Sequence, residues 1–151
     1  MWTSGTFGYD TPRKLIFTTI FFMNKMFGWR AKDEARQCHI NDLERKEDEN
    51  GKPFYEWNEK KTKTRQGKKA FMARPIIPRI LPNDLNPERR VVRLIDTYLE
   101  KRRTNTTPAL FLAINDTPTN KIPKPNQKWY KECPLGENTI SSVVKILAKE
   151  A

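Results

Sequence analysis

The sequence predicts an α+β fold in which helices pack around a small antiparallel sheet of three strands. Three observations predict it. Apolar residues recur at helical spacing after residues 12 and 91, and again after residue 136. An Asn-Gly turn separates two segments that are typical of strands. Helices alternating with a local hairpin indicate this class, and 151 residues are enough for a single domain with one core, 1–151.

The first predicted element is a helix that begins at Pro12 and ends before Gly28. Thr11 suits the N-cap, proline suits the first helical position, and glycine suits the residue after a helix. Residues 15–23 are apolar on almost every face, which is typical of a buried helix. This run is too short to span a bilayer, and no cleavage site of a signal peptide follows it.

A polar helix and three short strands are expected next. The turn at Asn50-Gly51 joins the first two strands, and Pro75 and Pro78 restrict the third to an edge of the sheet. A basic hairpin tip at 60–69 links the second strand to the third. The expected bounds are 30–38 for the helix and 40–44, 54–57 and 73–80 for the strands.

The second half of the chain predicts two further helices around a short buried strand. Asn86 and Pro87 suit the start of the first, which ends in the basic run 101–103. The strand is expected at 108–114, followed by a proline-containing loop at 115–128 and by a helix that opens near Gly136. The apolar stripes are Val91, Leu94, Ile95, Tyr98 and Leu99 in one helix, and Ile140, Val143, Val144 and Leu147 in the other.

The net charge of +11 is concentrated in one segment and predicts a polyanionic partner. Residues 60–103 hold 14 basic and 4 acidic residues, a net of +10. One histidine and two separated cysteines, Cys38 and Cys133, exclude a Cys/His zinc site and a disulfide framework. We therefore expect no metal, no cofactor and no membrane, and a reducing compartment.

Four segments, in order along the chain, resemble one family. Residues 11–27 share a Thr-Pro, Phe-Phe and Asn-x-Lys-x-Phe pattern, 28–43 share Gly-x-Arg-x-x-x-Glu, 62–67 share Thr-Lys-Thr-Arg-x-Gly, and 129–140 share a Trp-Tyr segment. Together they resemble Crypton-type tyrosine recombinases and the related C-terminal domain of MYM-type zinc-finger and glutamine-rich proteins. At the position of Trp29 the family commonly has leucine, serine or another neutral residue, so the tryptophan departs from its pattern.

The resemblance implies roles for individual residues. Arg30 corresponds to the first catalytic arginine, which holds the DNA phosphate, and Lys63 to the hairpin lysine, which protonates the leaving oxygen. Glu34 or Asp42 would position the arginine loop or the sheet. The implied partner is double-stranded DNA in the nucleus, with protein partners in chromatin as a further possibility. Predicted phosphate contacts are Lys60, Lys61, Arg65, Lys68, Lys69, Arg89, Arg90 and Arg93.

The family's remaining catalytic groups are not found in this sequence. Its His-x-x-Arg box and tyrosine nucleophile would follow the segment at 129–140, and the single histidine, His39, is followed three residues later by Asp42. We therefore expect the N-terminal part of a catalytic domain, from a shortened gene or a decayed, domesticated copy. DNA binding without strand transfer is the predicted function, and a protein-interaction module or a fragment of an active recombinase are the alternatives.

Several residues have a simpler structural interpretation as well. Arg30 could be a solvated residue paired with Glu34, and Lys60 or Lys61 could take the place of Lys63. Arg89, Arg90 and Arg93 in the predicted 86–103 helix could face solvent rather than DNA. Core packing is the alternative to base stacking for three aromatic residues, Phe54, Trp57 and Trp129. A structural role is expected for His39.

Overall fold

A computed structural model describes residues 2–29, 34–58, 76–82, 85, 90–115 and 122–151. The fold is α+β, as predicted, with four α-helices and two small antiparallel sheets in these ranges. The helices are α1 (Pro12–Phe27), α2 (Glu34–Gln37), α3 (Val91–Arg102) and α4 (Glu137–Glu150). The strands are β1 (Leu43–Glu47), β2 (Pro53–Trp57), β3 (Arg79–Ile80), β4 (Leu112–Ile114) and β5 (Tyr130–Pro134).

Helix α1 lies at the centre of the core, and its ends are those that the sequence predicts. The Thr11 hydroxyl accepts a hydrogen bond from the Lys14 N–H, and Gly28 ends the helix in the left-handed conformation at φ 65°. Residues on several faces are fully buried, among them Leu15, Ile16 and Ile20. Helices α3 and α4 and strand β3 all pack against it.

The first sheet has the predicted three strands in the order β1-β2-β3. Strands β1 and β2 form a hairpin around the predicted turn, where Gly51 has φ 74°. Strand β3 is an edge strand, and within residues 76–80, the part that the structure describes, only Arg79 and Ile80 pair with β2, so this part is shorter than predicted. Pro78, which directly precedes it, lacks the N–H needed to extend the ladder. Residues 73–75 of the predicted strand and the predicted hairpin tip at 60–69 lie outside the described residues.

A second sheet, formed by β4 and β5, was not predicted. Strand β4 begins at Leu112 rather than residue 108, although Ala109 forms an isolated bridge with His39. Strand β5 pairs with it across the proline-containing loop, with Ile114 opposite Tyr130. The Tyr130 hydroxyl donates to the carbonyl of Pro12 at 2.9 Å, which fastens this sheet to the start of α1.

Helices α3 and α4 correct two further predictions. The described part of α3 begins at Val91 with Arg90 as its N-cap, not at Asn86, so Arg90 precedes the helix. In α4, Val144 is 44% exposed, whereas Ile140, Val143 and Leu147 are buried. The apolar face of α4 packs against α1, and Glu150 at the end of α4 forms an ion pair with Arg13 at 2.6 Å.

Arg102 is a buried structural residue, although the sequence placed it in a basic helix end. Its side chain is folded into the core and only 4% of the residue is exposed. The guanidinium donates to the carbonyl oxygens of four residues after α3, at 2.6 to 3.3 Å: Thr104, Thr107, Ala109 and Leu110. The Tyr98 hydroxyl also donates to Leu110 and accepts the Leu112 N–H. These contacts fix the chain that leads into β4.

Glu56 is the buried carboxylate of the first sheet. Its two oxygens accept hydrogen bonds from Lys46 Nζ at 2.6 Å and from Arg79 Nε at 2.7 Å, so one carboxylate links all three strands. The hydrogen bond from Lys46, with a smaller contribution from Arg79, lowers the pKa of this carboxyl below its usual value.

Replacing Arg102 should destabilise the fold far more than replacing its neighbour. We expect Arg102→Met to lower the free energy of unfolding by about 3 kcal/mol, because buried carbonyls lose charged donors. Arg102→Lys should recover only part of that loss, since an ammonium lacks the guanidinium's planar fork. The control, Arg103→Met, changes an exposed side chain and should cost less than about 0.5 kcal/mol. Equal losses in urea unfolding of Arg102→Met and Arg103→Met would contradict this role.

The Glu56 carboxylate should make stability depend on pH. Because its pKa is lowered on folding, its contribution is present above its ordinary value of 4.5 and is lost as the pH falls through the folded value. Glu56→Gln should therefore lower the melting temperature most at about pH 7, and the difference from wild type should shrink towards about pH 3. Thermal unfolding of both proteins across this range measures it; a difference that does not change with pH would argue against the ion pairs.

Candidate nucleic-acid interface

The described residues include four of the predicted site residues. Glu34, Asp42, Arg90 and Arg93 can be located, whereas the two predicted catalytic cations and most predicted phosphate contacts fall outside the described ranges. Those outside are Arg30, Lys60, Lys61, Lys63, Arg65, Lys68, Lys69 and Arg89. The geometry of the site is therefore the geometry of the segments that flank these residues.

An aromatic cluster lies directly before Arg30. Gly28 ends α1, and Trp29 then turns into the core with 6% of its surface exposed. Its ring contacts Trp57 edge to face, with ring centroids 5.2 Å apart, and also contacts Phe27 at 5.2 Å and Phe111 at 6.4 Å. Tryptophan at this position, which departs from the family pattern, thus fills the space between α1, the end of β2 and the start of β4.

Asp42 fastens the beginning of the first hairpin. Its carboxylate accepts the His39 N–H at 2.8 Å, and its carbonyl accepts the Asn58 N–H at 2.8 Å. The first contact closes the short 3-10 turn Ile40–Asp42, and the second joins that turn to the residue after β2. Asp42 therefore connects the end of the 28–43 segment, which carries Arg30, to the start of the segment that carries Lys63.

Four buried polar atoms, in residues that precede or follow Arg30 in the sequence, have no hydrogen-bond partner among the described residues. They are both amide atoms of Asn24, the indole nitrogen of Trp29 and one carboxylate oxygen of Glu34. A buried polar group without a partner costs about 1–3 kcal/mol, so such groups are rare and call for an explanation at each site. Asn24 belongs to the Asn-x-Lys-x-Phe pattern, but no role was predicted for it. The signal that could have indicated one is a polar residue on a buried helix face.

The two described arginines of the predicted DNA contact set differ in their surroundings. Arg90 is partly buried at the N-cap of α3. Arg93 is exposed in the first turn, with its guanidinium 5.8 Å from the centre of the Tyr9 ring. An exposed guanidinium held over a ring remains available to a phosphate, because stacking leaves its N–H donors free at the edge.

Three of the four tyrosines are committed to structure. Tyr55 donates to Asp96 at 2.6 Å, Tyr98 donates to Leu110 at 3.0 Å, and Tyr130 donates to Pro12. All three are at most 3% exposed, and burial raises the pKa of each hydroxyl above its ordinary value. A buried hydroxyl that resists ionisation is a poor nucleophile.

The aromatic residues that the sequence left open can now be assigned in part. Phe54 and Trp57 are buried in the core, which confirms the packing interpretation. Trp129 is partly buried against the core, and the ammonium of Lys101 lies 5.0 Å from its ring centre. His39 contributes its backbone to the turn at Asp42 and to the bridge with Ala109.

In the residues that the structure describes, no three His, Cys, Asp or Glu side chains are grouped as the ligands of a metal ion would be. In the same ranges no helix combines the length and the apolar character that crossing a bilayer requires.

Comparison with known proteins gives the family. No curated protein and no solved structure matches the sequence. A family described as "Domain of unknown function (DUF3504)" matches residues 1–149, which is almost the whole chain. The chain therefore belongs to the DUF3504 family.

Proposed function

We propose that this chain binds the backbone of double-stranded DNA through a domain related to the tyrosine recombinases, and that these 151 residues do not perform strand transfer. Arg30 and Lys63 are its central phosphate contacts, as the resemblance implies. The family match over 1–149 is compatible with this relationship, and its description assigns no activity. Nuclear DNA is the partner.

The contact between Trp29 and Trp57 is the observation that carries the proposal. Trp29 directly precedes Arg30, and Trp57 ends the strand that leads towards Lys63. Their edge-to-face contact at 5.2 Å brings the two flanking positions together, although they are far apart in sequence. The hydrogen bond between Asp42 and Asn58 strengthens the same junction. An arginine fork and a lysine that start from neighbouring positions can act on one phosphodiester.

The distribution of tyrosines and histidines supports binding rather than transfer. Strand transfer needs an accessible tyrosine that loses its proton, and Tyr55, Tyr98 and Tyr130 are buried with raised pKa values. The sequence also has one histidine and no His-x-x-Arg. Holding a phosphate backbone requires only positioned cations, and the net charge of +11 supplies them.

A nonenzymatic protein-interaction module in chromatin is the second candidate function. Exposed apolar side chains around β3 favour it: Ile76 is 77% exposed, Ile77 46% and Leu81 60%. Grouped exposed apolar residues are typical of contact surfaces for proteins.

DNA affinity should depend steeply on salt. If about five phosphates are neutralised, the logarithm of the association constant should fall against the logarithm of salt concentration with a slope of roughly −4.5. Fluorescence anisotropy with a labelled duplex of mixed sequence measures this slope, and a second, unrelated duplex should give nearly the same affinity. An affinity that hardly changes with salt, or polyglutamate that competes as well as DNA of equal charge, would favour the protein-interaction module.

Arg30 should require its guanidinium and not merely its charge. A fork that holds two phosphate oxygens cannot be replaced by an ammonium. We therefore expect Arg30→Lys and Arg30→Gln each to weaken duplex binding by about tenfold, whereas Lys145→Gln, an exposed charge on α4, should change it less than about twofold. If Arg30 is only a solvated charge, Arg30→Lys will bind like wild type.

A nicked suicide substrate tests the absence of strand transfer. We expect no covalent protein–DNA adduct from these 151 residues. Tyr55, Tyr98 and Tyr130 are buried. The resemblance places the nucleophile after the segment at 129–140, far from Tyr9 in the sequence. A phosphotyrosyl adduct on a denaturing gel would show that the chain is an active recombinase and overturn this part of the proposal.

A further inference from the structure

A basic cleft lies between the end of α3 and the segment at 122–132. Its lining residues are far in sequence from Trp29 and Trp57. Its volume is about 520 Å³. The α3 side contributes Lys101, Arg102 and Arg103. The opposite side contributes Lys124, Lys128 and Trp129. None of the lysines in it belongs to the contact set predicted from the sequence.

The 122–132 side of the cleft is held in a defined shape. Residues Lys124 to Gln127 form a turn in which the Gln127 N–H donates to the Lys124 carbonyl at 3.1 Å. Pro125 and Asn126, the latter with φ 69°, are the residues that a type II turn favours at its two central positions. Asn115, at the end of β4, is bonded to the backbone of Lys128 and Trp129 at 3.0 Å. The two lysines are therefore carried on a backbone that is already ordered.

The cleft carries an excess of positive charge. Among the described residues, five cationic side chains and one carboxylate line it; the carboxylate, Glu132, lies 3.3 Å from Lys128. Arg102 is held at the wall of the cleft by hydrogen bonds to four backbone carbonyls. Because these carbonyls are neutral, they do not neutralise the positive charge of the guanidinium. Burial lowers the pKa of this guanidinium, which is the direction expected of a cation without a compensating carboxylate. An anion in the cleft would supply the missing negative charge.

We propose that this cleft is a second binding site for backbone phosphates of duplex DNA, in which Lys124 and Lys128 contact two phosphates opposite Lys101 and Arg103. The inference rests on the proposed function and extends it to a surface that the family resemblance does not assign. An acidic protein segment fits less well. Ile122 also lines the cleft and is 73% exposed, but the ring of Trp129 is covered by Lys101 at 5.0 Å, so the aromatic anchor that a protein segment would use is already occupied.

The test compares two double variants that remove the same charge. Lys124→Gln/Lys128→Gln alters the cleft, and Lys145→Gln/Lys149→Gln alters exposed positions on α4. With a labelled duplex in fluorescence anisotropy, the cleft variant should bind roughly tenfold more weakly at about 0.1 M salt, and its log–log salt slope should be shallower by about 1.8. The α4 variant should lose less than about threefold. Lys124→Gln alone, which leaves Lys128 and Glu132 paired, should make the slope shallower by about 0.9.

The outcomes separate this inference from the proposed function. If wild type binds no duplex, the proposed function fails and the cleft site fails with it. If wild type binds but both double variants lose affinity equally, or neither does, the cleft site is wrong and the proposed function stands. If polyglutamate binding is lost in the cleft variant while duplex binding is kept, the cleft belongs to an acidic protein partner and the inference is overturned. Unchanged melting temperatures ensure that the comparison reports on binding.

Discussion

Burial of α1 is the constraint on which the rest of the described structure depends. Leu15, Ile16, Ile20 and Met23 are completely inaccessible to solvent, so other elements must cover this helix on several sides. α3, α4 and β3 provide that cover, and Arg13 and Tyr130 fasten its first turn to Glu150 and to the second sheet. Since α1 cannot shift within such a core, its glycine end is fixed in space. The hydrophobic core therefore sets the position at which the 28–43 segment begins.

Buried polar side chains complete what the core begins. Arg102 and Tyr98 hold the backbone between α3 and β4, where no regular ladder satisfies the carbonyl groups. Glu56 links the strands of the first sheet through ion pairs with Lys46 on β1 and Arg79 on β3. Arg102 and Glu56 make charge-assisted hydrogen bonds, which are strong enough to offset desolvation. As a consequence, the sign and number of charges in a segment do not show which of them face a ligand.

Local signals predicted the elements whose ends depend on local chemistry. The caps of α1 at Thr11 and Gly28 and the turn of the first hairpin were read correctly, because each is decided within a few residues. The pairing of Ile114 with Tyr130 was missed, since it forms across a long loop and has no periodic signature. The start of α3 was misplaced because Asn86-Pro87 is a good cap locally, whereas the first buried residue of the helix is Val92. Arg30 and Lys63 came from the resemblance alone, and the cleft escaped notice because α3 and residues 122–132 meet only in the fold.

Stability and the proposed binding of DNA rely on different side chains, and this division follows from the solvation of hydroxyl and ammonium groups. A hydroxyl such as that of Tyr98 or Tyr130 can be buried when it forms one or two hydrogen bonds inside the protein. Burial then raises the pKa of the hydroxyl, so it resists ionisation. Ammonium groups such as Lys124 and Lys145 cannot be buried so easily, and they stay exposed. Three tyrosines are thereby withdrawn from chemistry while the cations remain available at the surface. The proposed DNA binding is therefore compatible with a core that buries these tyrosines, whereas chemistry by a tyrosine nucleophile is not.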